Sequence, residues 1–329
     1  MKFAIIGAGF SGLATAWYLL QSQNNRVTLF DSVGIGGGAS GIAAGLLYPY
    51  GGLHAKLNRK GLEGFQATRE LLDTVSGENQ SPVAASTGLL RQAFTEENLD
   101  DFALSAQKYS DVHWLSAEEC QQRVPGVAHQ PGIFIETCLT VDTKNYLKSL
   151  AQSCQKRGAQ FIFTTIPSLD VLSDYDIILI TAGANLKNFP ETQQITLTPL
   201  KGQILKVEWP IGLPPLPTPL SSQAYILMDP DGKTAIVGAT FERDYISEEV
   251  DVNFAMKDLM PKAVNMFPAL EGAKVIGCHS GIRASAPNYE PLIKQINHRC
   301  WVLTGMGSKG LLYHALYAKK LADMVIQGI

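Results

Sequence analysis

Residues 3–31 read FAIIGAGFSGLATAWYLLQSQNNRVTLFD. The apolar run Phe3–Gly7 and the β-branched run Arg26–Phe30 have the composition of strands, and Ser11–Gln21 has that of a helix. Between the first strand and the helix stand three glycines, at positions 7, 9 and 12. This stretch therefore predicts a strand, a helix and a second strand that open an α/β fold.

The glycine spacing and the acid that follows it indicate a dinucleotide site. In this context Gly7 makes a tight turn, Gly9 lets backbone approach a pyrophosphate, and Gly12 lets the helix pack closely on the strand. The helix N-terminus faces the phosphates, and Asp31 at the end of the second strand can accept both ribose hydroxyls. The predicted cofactor contacts in this stretch are Gly7, Gly9, Phe10, Ser11, Gly12, Asp31 and Ser32.

A second glycine-rich stretch, 36–41, favours FAD over NAD. It follows the second strand directly, where a nicotinamide domain would continue into its next helix. Small residues here would let main-chain amides contact the longer FAD, although a flexible glycine loop would have the same composition. The predicted contacts in this part of the chain are Gly38, Ala39, Ser40, Ala43, Ala44, Gly45 and Leu46.

The remaining elements predict two kinds of sheet. Strand-like runs at 161–166, 175–183 and 300–305 continue the parallel α/β pattern, whereas runs at 224–228 and 234–237 flank Asp231-Gly232 and indicate an antiparallel hairpin. Helices are expected over 53–75, 96–109 and 142–157. We expect an α/β protein in which a Rossmann-like FAD-binding domain (1–85, 140–195 and 272–329) is interleaved with an antiparallel-sheet α+β substrate domain (86–139 and 196–271).

Composition limits the possible functions. The 329 residues are 46% hydrophobic and 17% charged, which is typical of a folded globular protein. The net charge of −3 gives no overall basic field that would attract nucleic acid or a membrane. The five cysteines never form a C-x-x-C pair, which suits free thiols in the cytoplasm. We find no metal-ligand spacing and no apolar run long enough to span a membrane.

The stretches Ile5–Leu13 and Gly37–Gly41 resemble the D-amino-acid-oxidase/glycine-oxidase superfamily of FAD-dependent oxidoreductases. The resemblance continues in order through 175–183, 199–203, 238–240, 281–283 and 305–311, and so extends across nearly the whole chain. It implies amine oxidation with FAD. Some relatives link FAD covalently through a cysteine, but the position of Cys278 before Gly281 does not match, so we expect non-covalent binding. We therefore add these cofactor contacts to the prediction: Ile166, Ala182, Gly183, Gly305, Gly307, Ser308, Lys309, Gly310 and Leu311.

Within that superfamily, 39–41, 45–49 and 54–59 are similar to the flavin module of the MnmC family of tRNA-modifying proteins. This similarity implies oxidative removal of a carboxymethyl group from carboxymethylaminomethyl-uridine in tRNA. Two alternatives stay open: oxidation of a free amino acid such as glycine, sarcosine or a D-amino acid, and a flavin-binding subunit without turnover. A tRNA partner would require basic residues to gather on one face; the candidates are Lys56, Arg59, Lys60, Lys201 and Lys206.

Three side chains are predicted to act on the substrate. Arg283, in Gly-Ile-Arg, matches the arginine that binds the substrate carboxylate in glycine-oxidase-like relatives, and a guanidinium can clamp a carboxylate through two hydrogen bonds. Tyr225 matches a strand position that supplies a substrate-facing hydroxyl, with even odds of facing the other way. His54 could line the pocket mouth, or it could be an ordinary hydrogen-bonded histidine. Lys309 could stabilise reduced flavin from the start of the last helix, or it could be solvent-exposed.

Overall fold

The computed structural model describes residues 1–52 and 54–328. Within these residues the strands are β1 (Lys2–Ile6), β2 (Arg26–Asp31), β3 (Leu46–Leu47), β4 (Tyr50–Gly51), β5 (Lys56–Leu57), β6 (Ala84–Ser86), β7 (Leu89–Gln92), β8 (Val112–Leu115), β9 (Gly132–Ile135), β10 (Leu139–Val141), β11 (Gln160–Phe163), β12 (Ile177–Ile180), β13 (Thr198–Glu208), β14 (Leu220–Ser221), β15 (Tyr225–Met228), β16 (Thr234–Gly238), β17 (Val275–Ser285), β18 (Leu292–Gln295) and β19 (Cys300–Thr304). The α-helices in the same residues are α1 (Phe10–Leu19), α2 (Gly61–Asn79), α3 (Glu96–Lys108), α4 (Ala117–Arg123), α5 (Thr143–Lys156), α6 (Val252–Met266) and α7 (Gly310–Gln327).

The first sheet has six strands in the order β11-β2-β1-β12-β19-β18. Its strands pair in parallel, except for the antiparallel edge strand β18. Strands β12 and β19 are buried along their whole length, as expected when layers cover both faces of a parallel sheet. Helices α1, α5 and α7 contribute to the core on one face, and residues of 169–189 cover the other. The predicted α/β fold is confirmed.

The second sheet has eight strands in the order β17-β13-β16-β15-β14-β7-β9-β8. Its pairs are antiparallel apart from β14 and β7. The predicted hairpin at Asp231-Gly232 is confirmed, because β15 and β16 pair antiparallel on either side of it. Helix α6 packs on one face of this sheet, and the other face is left for contacts with the rest of the chain.

One sequence-based expectation was wrong in detail. The helix expected over 53–75 is α2, which begins at Gly61, because the residues before it form the short antiparallel pair β4 and β5. The predicted first residue, Leu53, lies outside the described residues. Strand β17, inside the segment 272–329 predicted for the FAD-binding domain, pairs along its length with β13 of the second sheet. The division into two domains stays a prediction.

None of the helices in the described part of the chain combines the length and the apolar character needed to cross a lipid bilayer.

A buried histidine joins three helices beneath the first sheet. His314 of α7 is fully buried; its Nδ1 donates to the Leu311 carbonyl at 2.9 Å, and its Nε2 accepts from the Tyr146 hydroxyl of α5 at 2.7 Å. The Phe10 ring of α1 lies 5.1 Å from the imidazole, centroid to centroid. Burial lowers the pKa of His314 from 6.5 to about 4, so the neutral ring is the native form.

We expect the protein to lose stability through this histidine as the pH falls from 6.5 to 4. In that window the unfolded chain binds a proton that native His314 does not, so the free energy of unfolding falls by up to about 3 kcal/mol. Urea unfolding of the protein and of His314→Gln at pH 7 and pH 4.5 measures this. The loss on acidification should be smaller for the variant, and equal losses would contradict the assignment.

Candidate active site

The turn between β1 and α1 packs closely against the main chain of β2 and of the segment after β12. Gly7 has φ +109° and donates its N–H to the Phe30 carbonyl at 2.7 Å. A Cβ on Gly7 would lie 2.6 Å from the Thr181 carbonyl oxygen of the segment after β12, and a Cβ on Gly12 would overlap the Gly7 carbonyl. Glycine is therefore required at both positions. Helix α1 starts after Gly9, and this glycine provides no side chain to cap the helix. The amides in the first turn of α1 can therefore face an anion.

The carboxylate of Asp31 is fixed beside this turn. Its Oδ2 accepts from the Ala8 N–H at 2.8 Å, and its Oδ1 accepts from Val33 and Gly34 at 2.8 and 2.9 Å. Each carboxylate oxygen has two lone-pair sites, so acceptor capacity remains at Oδ2 for a hydroxyl of the ligand. This position suits the predicted ribose contact.

The second glycine-rich stretch folds back onto the first. Residues 39–42 form a 3₁₀ turn, and the Ser40 hydroxyl accepts from the Phe10 N–H at 3.1 Å at the start of α1. The Gly36 N–H donates to the Ala8 carbonyl at 2.9 Å. A Cβ on Gly9 would lie 2.8 Å from Ser40 Oγ. The two stretches that sequence reasoning selected separately therefore form one surface with few side chains.

The segment 305–310 completes this surface from the other end of the chain. The Ser11 hydroxyl lies 3.5 Å from the Met306 sulfur, and Met306 forms a bridge with Ser285 at the end of β17. Helix α7 then begins without a side-chain cap. Lys309 is half-buried, and burial lowers the pKa of its ammonium group, which excludes the fully solvent-exposed alternative. A dinucleotide fits these residues, because two uncapped helix starts and glycine backbone meet there.

The other predicted cofactor residues surround this surface. Gly45 has φ +94° and a Cβ there would overlap the Val141 carbonyl, while Gly183 has φ +57° directly after β12. Ser32 and Ser308 are exposed, and Leu311 is buried in α7. Ile166 packs on the core that covers the second face of the six-stranded sheet. Their contacts with a cofactor stay a prediction.

One face of the eight-stranded sheet carries the predicted substrate residues. Cross-strand pairing aligns Arg283 with Leu200 on β13, and Gly238 of β16 with both Ile204 and Tyr225. Paired residues share a face and alternate residues along a strand return to it, so Arg283 and Tyr225 point to the same side. A Cβ on Gly202, between Leu200 and Ile204, would overlap the Arg283 guanidinium.

The Tyr225 ring covers the next glycine on this face. A Cβ on Gly238 would lie 2.6 Å from the Tyr225 hydroxyl oxygen. Two glycines therefore leave room for the two predicted substrate residues, because Gly202 makes way for the Arg283 guanidinium and Gly238 for the Tyr225 ring. The alternative orientation of Tyr225, toward α6, is excluded by its register.

This face lies next to the cofactor surface. Gly281 shares the face of Arg283, and a Cβ there would lie 3.1 Å from Ala39 Cα and 2.8 Å from Ile42 Cδ1 of the 3₁₀ turn. Strand β17 also contacts the 305–310 segment, where a Cβ on Gly307 would lie 3.1 Å from Ser285 Oγ. Arg283 therefore stands on the strand that touches both of these cofactor segments.

Arg283 has no counter-charge of its own. Its side chain forms neither a hydrogen bond nor an ion pair with the described residues. Burial lowers the pKa of its guanidinium, and Tyr225 and Glu242 partly offset this effect. Glu242 is already engaged, because its carboxylate accepts from the Gln203 amide at 3.0 Å. Arg283 is half-buried, so its charge is partly desolvated without a partner, and an anionic ligand would supply that partner.

Tyr225 is a neutral donor beside this cation. Burial raises the pKa of its phenol well above the usual value, although Arg283 acts in the opposite direction. The hydroxyl therefore stays protonated at neutral pH and can donate to an anion that Arg283 binds.

His54 is held elsewhere by acidic side chains. Its Nδ1 contacts the Asp101 carboxylate of α3 and lies 3.6 Å from Glu97 Oε1. The three side chains form a candidate metal-binding group, but Lys56 Nζ is 3.4 Å from Asp101 Oδ1 and already supplies a cation. These contacts favour the ordinary hydrogen-bonded histidine, and a catalytic role for His54 stays a prediction.

Sequence reasoning missed three residues of the sheet face. Gly202 lies in the segment 199–203 and Gly238 in the segment 238–240, both of which carry the family resemblance. The sequence did not show that these glycines make space for a side chain of the neighbouring strand. Arg91 of β7 was not considered, although an arginine inside the apolar run 89–94 is a signal, because charged residues are almost never fully buried unless they are paired.

Comparisons with known proteins agree with this geometry. A family model described as FAD dependent oxidoreductase (DAO) matches residues 2–324. Glycine oxidase of Bacillus licheniformis is 24% identical over 98% of this chain and 92% of its own length. The tRNA 5-methylaminomethyl-2-thiouridine biosynthesis bifunctional protein MnmC of Idiomarina loihiensis is 25% identical over 97% of this chain, which spans 54% of that protein.

A solved structure shows the same fold. The crystal structure of glycine oxidase from Geobacillus kaustophilus superposes with a TM-score of 0.85 at 22% identity, covering 99% of this chain and 95% of that one.

We expect Gly202→Ala to displace the Arg283 guanidinium without unfolding the sheet. The new Cβ would overlap the far end of a flexible side chain, which can move. The Kd of acetate, measured from its perturbation of flavin absorption, should rise at least about tenfold, which corresponds to ~1.4 kcal/mol. Gly277→Ala is the control, because its Cβ would make an ordinary 3.5 Å contact with Lys206. Equal affinities in the two variants would contradict the position assigned to Arg283.

Proposed function

The chain belongs to the DAO family of FAD-dependent oxidoreductases, and on that premise we propose that it oxidises a C–N bond in an amine that carries a carboxylate. The unpaired, half-buried guanidinium of Arg283 beside the cofactor surface is the observation that carries this proposal. A guanidinium binds a carboxylate through two parallel hydrogen bonds. Fixing the carboxylate also fixes the adjacent carbon, which is the carbon to be oxidised.

The residues of this chain position the substrate, and the chemistry belongs to the cofactor. FAD, when bound, accepts a hydride from the carbon next to nitrogen. Arg283 pairs with the carboxylate, and the neutral Tyr225 hydroxyl donates to the same group. The oxidised substrate is an imine, which water hydrolyses to an amine and a carbonyl compound. The sheet face beside these groups is lined by the apolar side chains of Leu200 and Ile204, which limits water around the reacting carbon.

FAD is proposed to bind without a covalent bond. The residues that would hold it are the turn 7–12, Asp31, the stretch 38–46 and the segment 305–311. Cys278 of β17 packs with the α6 core, on the face opposite Arg283. Burial raises the pKa of its thiol, which disfavours the reactive thiolate. These observations support the non-covalent mode.

Carboxymethylaminomethyl-uridine in tRNA is the proposed substrate, as in the MnmC-like motifs. Oxidation at the carboxymethyl carbon of this secondary amine would release the carboxymethyl group as a carbonyl compound. The relatives named MnmC support this choice. The relatives named glycine oxidase support the alternative, a free amino acid. A flavin-binding subunit without turnover is disfavoured, because Arg283 and Tyr225 are both in place.

The basic residues give tRNA uneven support. Lys201 is buried, and its Nζ donates to the carbonyls of Ser247 and Glu249. Lys206 pairs with Asp229. These two lysines are thus committed to internal contacts. Of the other candidates named from the sequence, Lys56 and Arg59 are exposed but pair with Asp101 and Glu290, and Lys60 is half-buried. The cytoplasmic location that a tRNA enzyme requires stays part of the proposal.

We expect anaerobic bleaching of the flavin to identify the substrate. The protein is mixed with glycine, sarcosine, a D-amino acid, or tRNA that carries the carboxymethylaminomethyl group, and the flavin absorption is followed. Bleaching by the modified tRNA alone supports the proposed substrate, whereas bleaching by a free amino acid alone favours the alternative. If none of them reduces the flavin, the amine-oxidation proposal fails.

Arg283→Ala should raise the KM for the reactive substrate at least about a hundredfold, since a charge-assisted bidentate contact is lost. Its flavin absorbance should match that of the unaltered protein, because the side chain faces the substrate. Arg283→Lys should recover part of the affinity. Unaltered kinetics in the alanine variant would remove the assigned role.

A further inference from the structure

Two lysine side chains from different parts of the chain meet over one buried tyrosine ring. Lys60 directly precedes α2, and Lys320 lies on α7, one turn after Tyr317. Their Nζ atoms lie 5.8 and 5.1 Å from the centre of the Tyr317 ring. Both lysines are half-buried. These two residues, called the lysine pair below, therefore bring two ammonium groups to the same place on the surface.

The charge of the lysine pair is not balanced. Within the described residues, neither ammonium group forms an ion pair with an acidic side chain. Burial lowers the pKa of Lys320, the adjacent Lys60 ammonium lowers it further, and Glu63 offsets these effects only in part. The face of the Tyr317 ring gives each cation a favourable contact. Because the two like charges still repel each other, an anion bound between them would remove a cost.

The basic residues adjacent in sequence to the lysine pair are different, because each has an acidic partner. Arg59 pairs with Glu290 at 2.7 Å, and Lys319 pairs with Asp323 at 3.2 Å. The missing partner is therefore particular to the lysine pair and is not shared by its neighbours on α7 and before α2.

The main chain holds Lys60 in this position at a conformational cost. Its φ of +54° lies in the left-handed region, which favours glycine. The Tyr313 hydroxyl donates to the Arg59 carbonyl at 2.8 Å, and a Cβ on Gly61 would lie 2.7 Å from the Pro49 carbonyl oxygen. Contacts on both sides of Lys60 thus fix the backbone that places it beside α7. Residues strained in this way cluster at ligand-binding positions.

The lysine pair lies outside the active site but within reach of it. Helix α7 begins at Gly310, where the cofactor segment 305–310 ends, and a helix rises 1.5 Å per residue. Tyr317 and Lys320 therefore lie roughly 10–15 Å along α7 from that segment. A stacked nucleic acid strand advances ~3.4 Å per nucleotide, so a phosphate about three or four nucleotides from the reacting base spans this distance. A free amino acid on Arg283 does not.

We propose that Lys60 and Lys320 together bind a backbone phosphate of an RNA substrate whose reacting base lies in the active site. The proposal rests on the proposed function and assigns a place on the surface to the RNA partner. Each ammonium group donates to an oxygen of the same phosphate, and its negative charge separates the two cations. Such a local site needs no overall basic field, which agrees with the net charge of −3.

The first test is the direct binding of fluorescein-labelled tRNA to the FAD-loaded protein, followed by fluorescence anisotropy at several salt concentrations. Lys320→Gln combined with Lys60→Gln should raise the Kd at least about tenfold. The slope of log Kd against log salt should fall by about 0.7, because one phosphate contact to a single strand is lost. The double variant should melt no lower than the unaltered protein, since two repelling charges are removed.

A matched control separates the site from general charge effects. Lys319→Gln removes the same charge as Lys320→Gln from the next residue of α7, but its lysine already pairs with Asp323. We expect the tRNA Kd to rise in Lys320→Gln and to stay within about twofold in Lys319→Gln. Lys320→Arg keeps the charge and should retain most of the affinity.

A second measurement separates the lysine pair from the substrate pocket. In the double variant, the KM for tRNA that carries the carboxymethylaminomethyl group should rise with the Kd, by at least about tenfold. The Kd of acetate, measured from flavin absorption, should not change, because Arg283 is untouched. A parallel rise for acetate would mean that the lysines support the pocket, and it would overturn the inference.

The remaining outcomes are distinct. Unaltered tRNA affinity in the double variant, or an equal loss in Lys319→Gln, overturns the inference. If inorganic phosphate stabilises the unaltered protein against heat but not the double variant, while both bind tRNA equally, the site serves free phosphate and the RNA assignment fails.

Failure of the proposed function gives a different result. If the modified tRNA binds through the lysine pair but does not reduce the flavin, the RNA site stands and the proposed substrate falls. If the modified tRNA reduces the flavin with the same KM in the double variant, the proposed function stands and this site falls.

Discussion

The tight approach of main chain to main chain at the turn after β1 is the constraint on which the rest of the structure depends. A Cβ on Gly12 would overlap the Gly7 carbonyl, and one on Gly7 would press on the Thr181 carbonyl. Because these atoms are absent, α1 starts immediately above the strand ends of the parallel sheet. Its first amide, that of Phe10, donates to the Ser40 hydroxyl of the second glycine stretch. The cofactor surface is a consequence of this local packing.

Strand β17 connects that surface with the substrate face. It runs antiparallel to β13 over ten residue pairs, with one irregularity between 206 and 207. Gly281 brings it against the 3₁₀ turn at 39–42, and Ser285 brings its end against the 305–310 segment. A rigid strand therefore sets the position of Arg283 relative to the cofactor, which is the geometry that a hydride transfer requires.

Local signals predicted the cofactor side of the site, and long-range pairing decided the substrate side. The glycine motif, Asp31 and the stretch 36–41 each act through backbone conformation near their own position, so their pattern is visible in the sequence. The shared face of Arg283 and Tyr225 depends on the register of four strands from distant parts of the chain. Helix α6 and strand β17 were missed because Pro261 interrupts the first and polar residues and two glycines weaken the second.

Neighbouring residues of β13 point to opposite faces of the sheet, so this one strand contributes to both the hydrophobic core and the substrate face. Leu205 and Val207 are buried with α6, whereas Gly202 and Ile204 line the opposite side with Arg283. Residues on the substrate face can therefore change during evolution, and the substrate preference with them, while the hydrophobic residues that pack on α6 stay the same. One strand thus lets relatives of the same architecture diverge in what they accept without first having to refold.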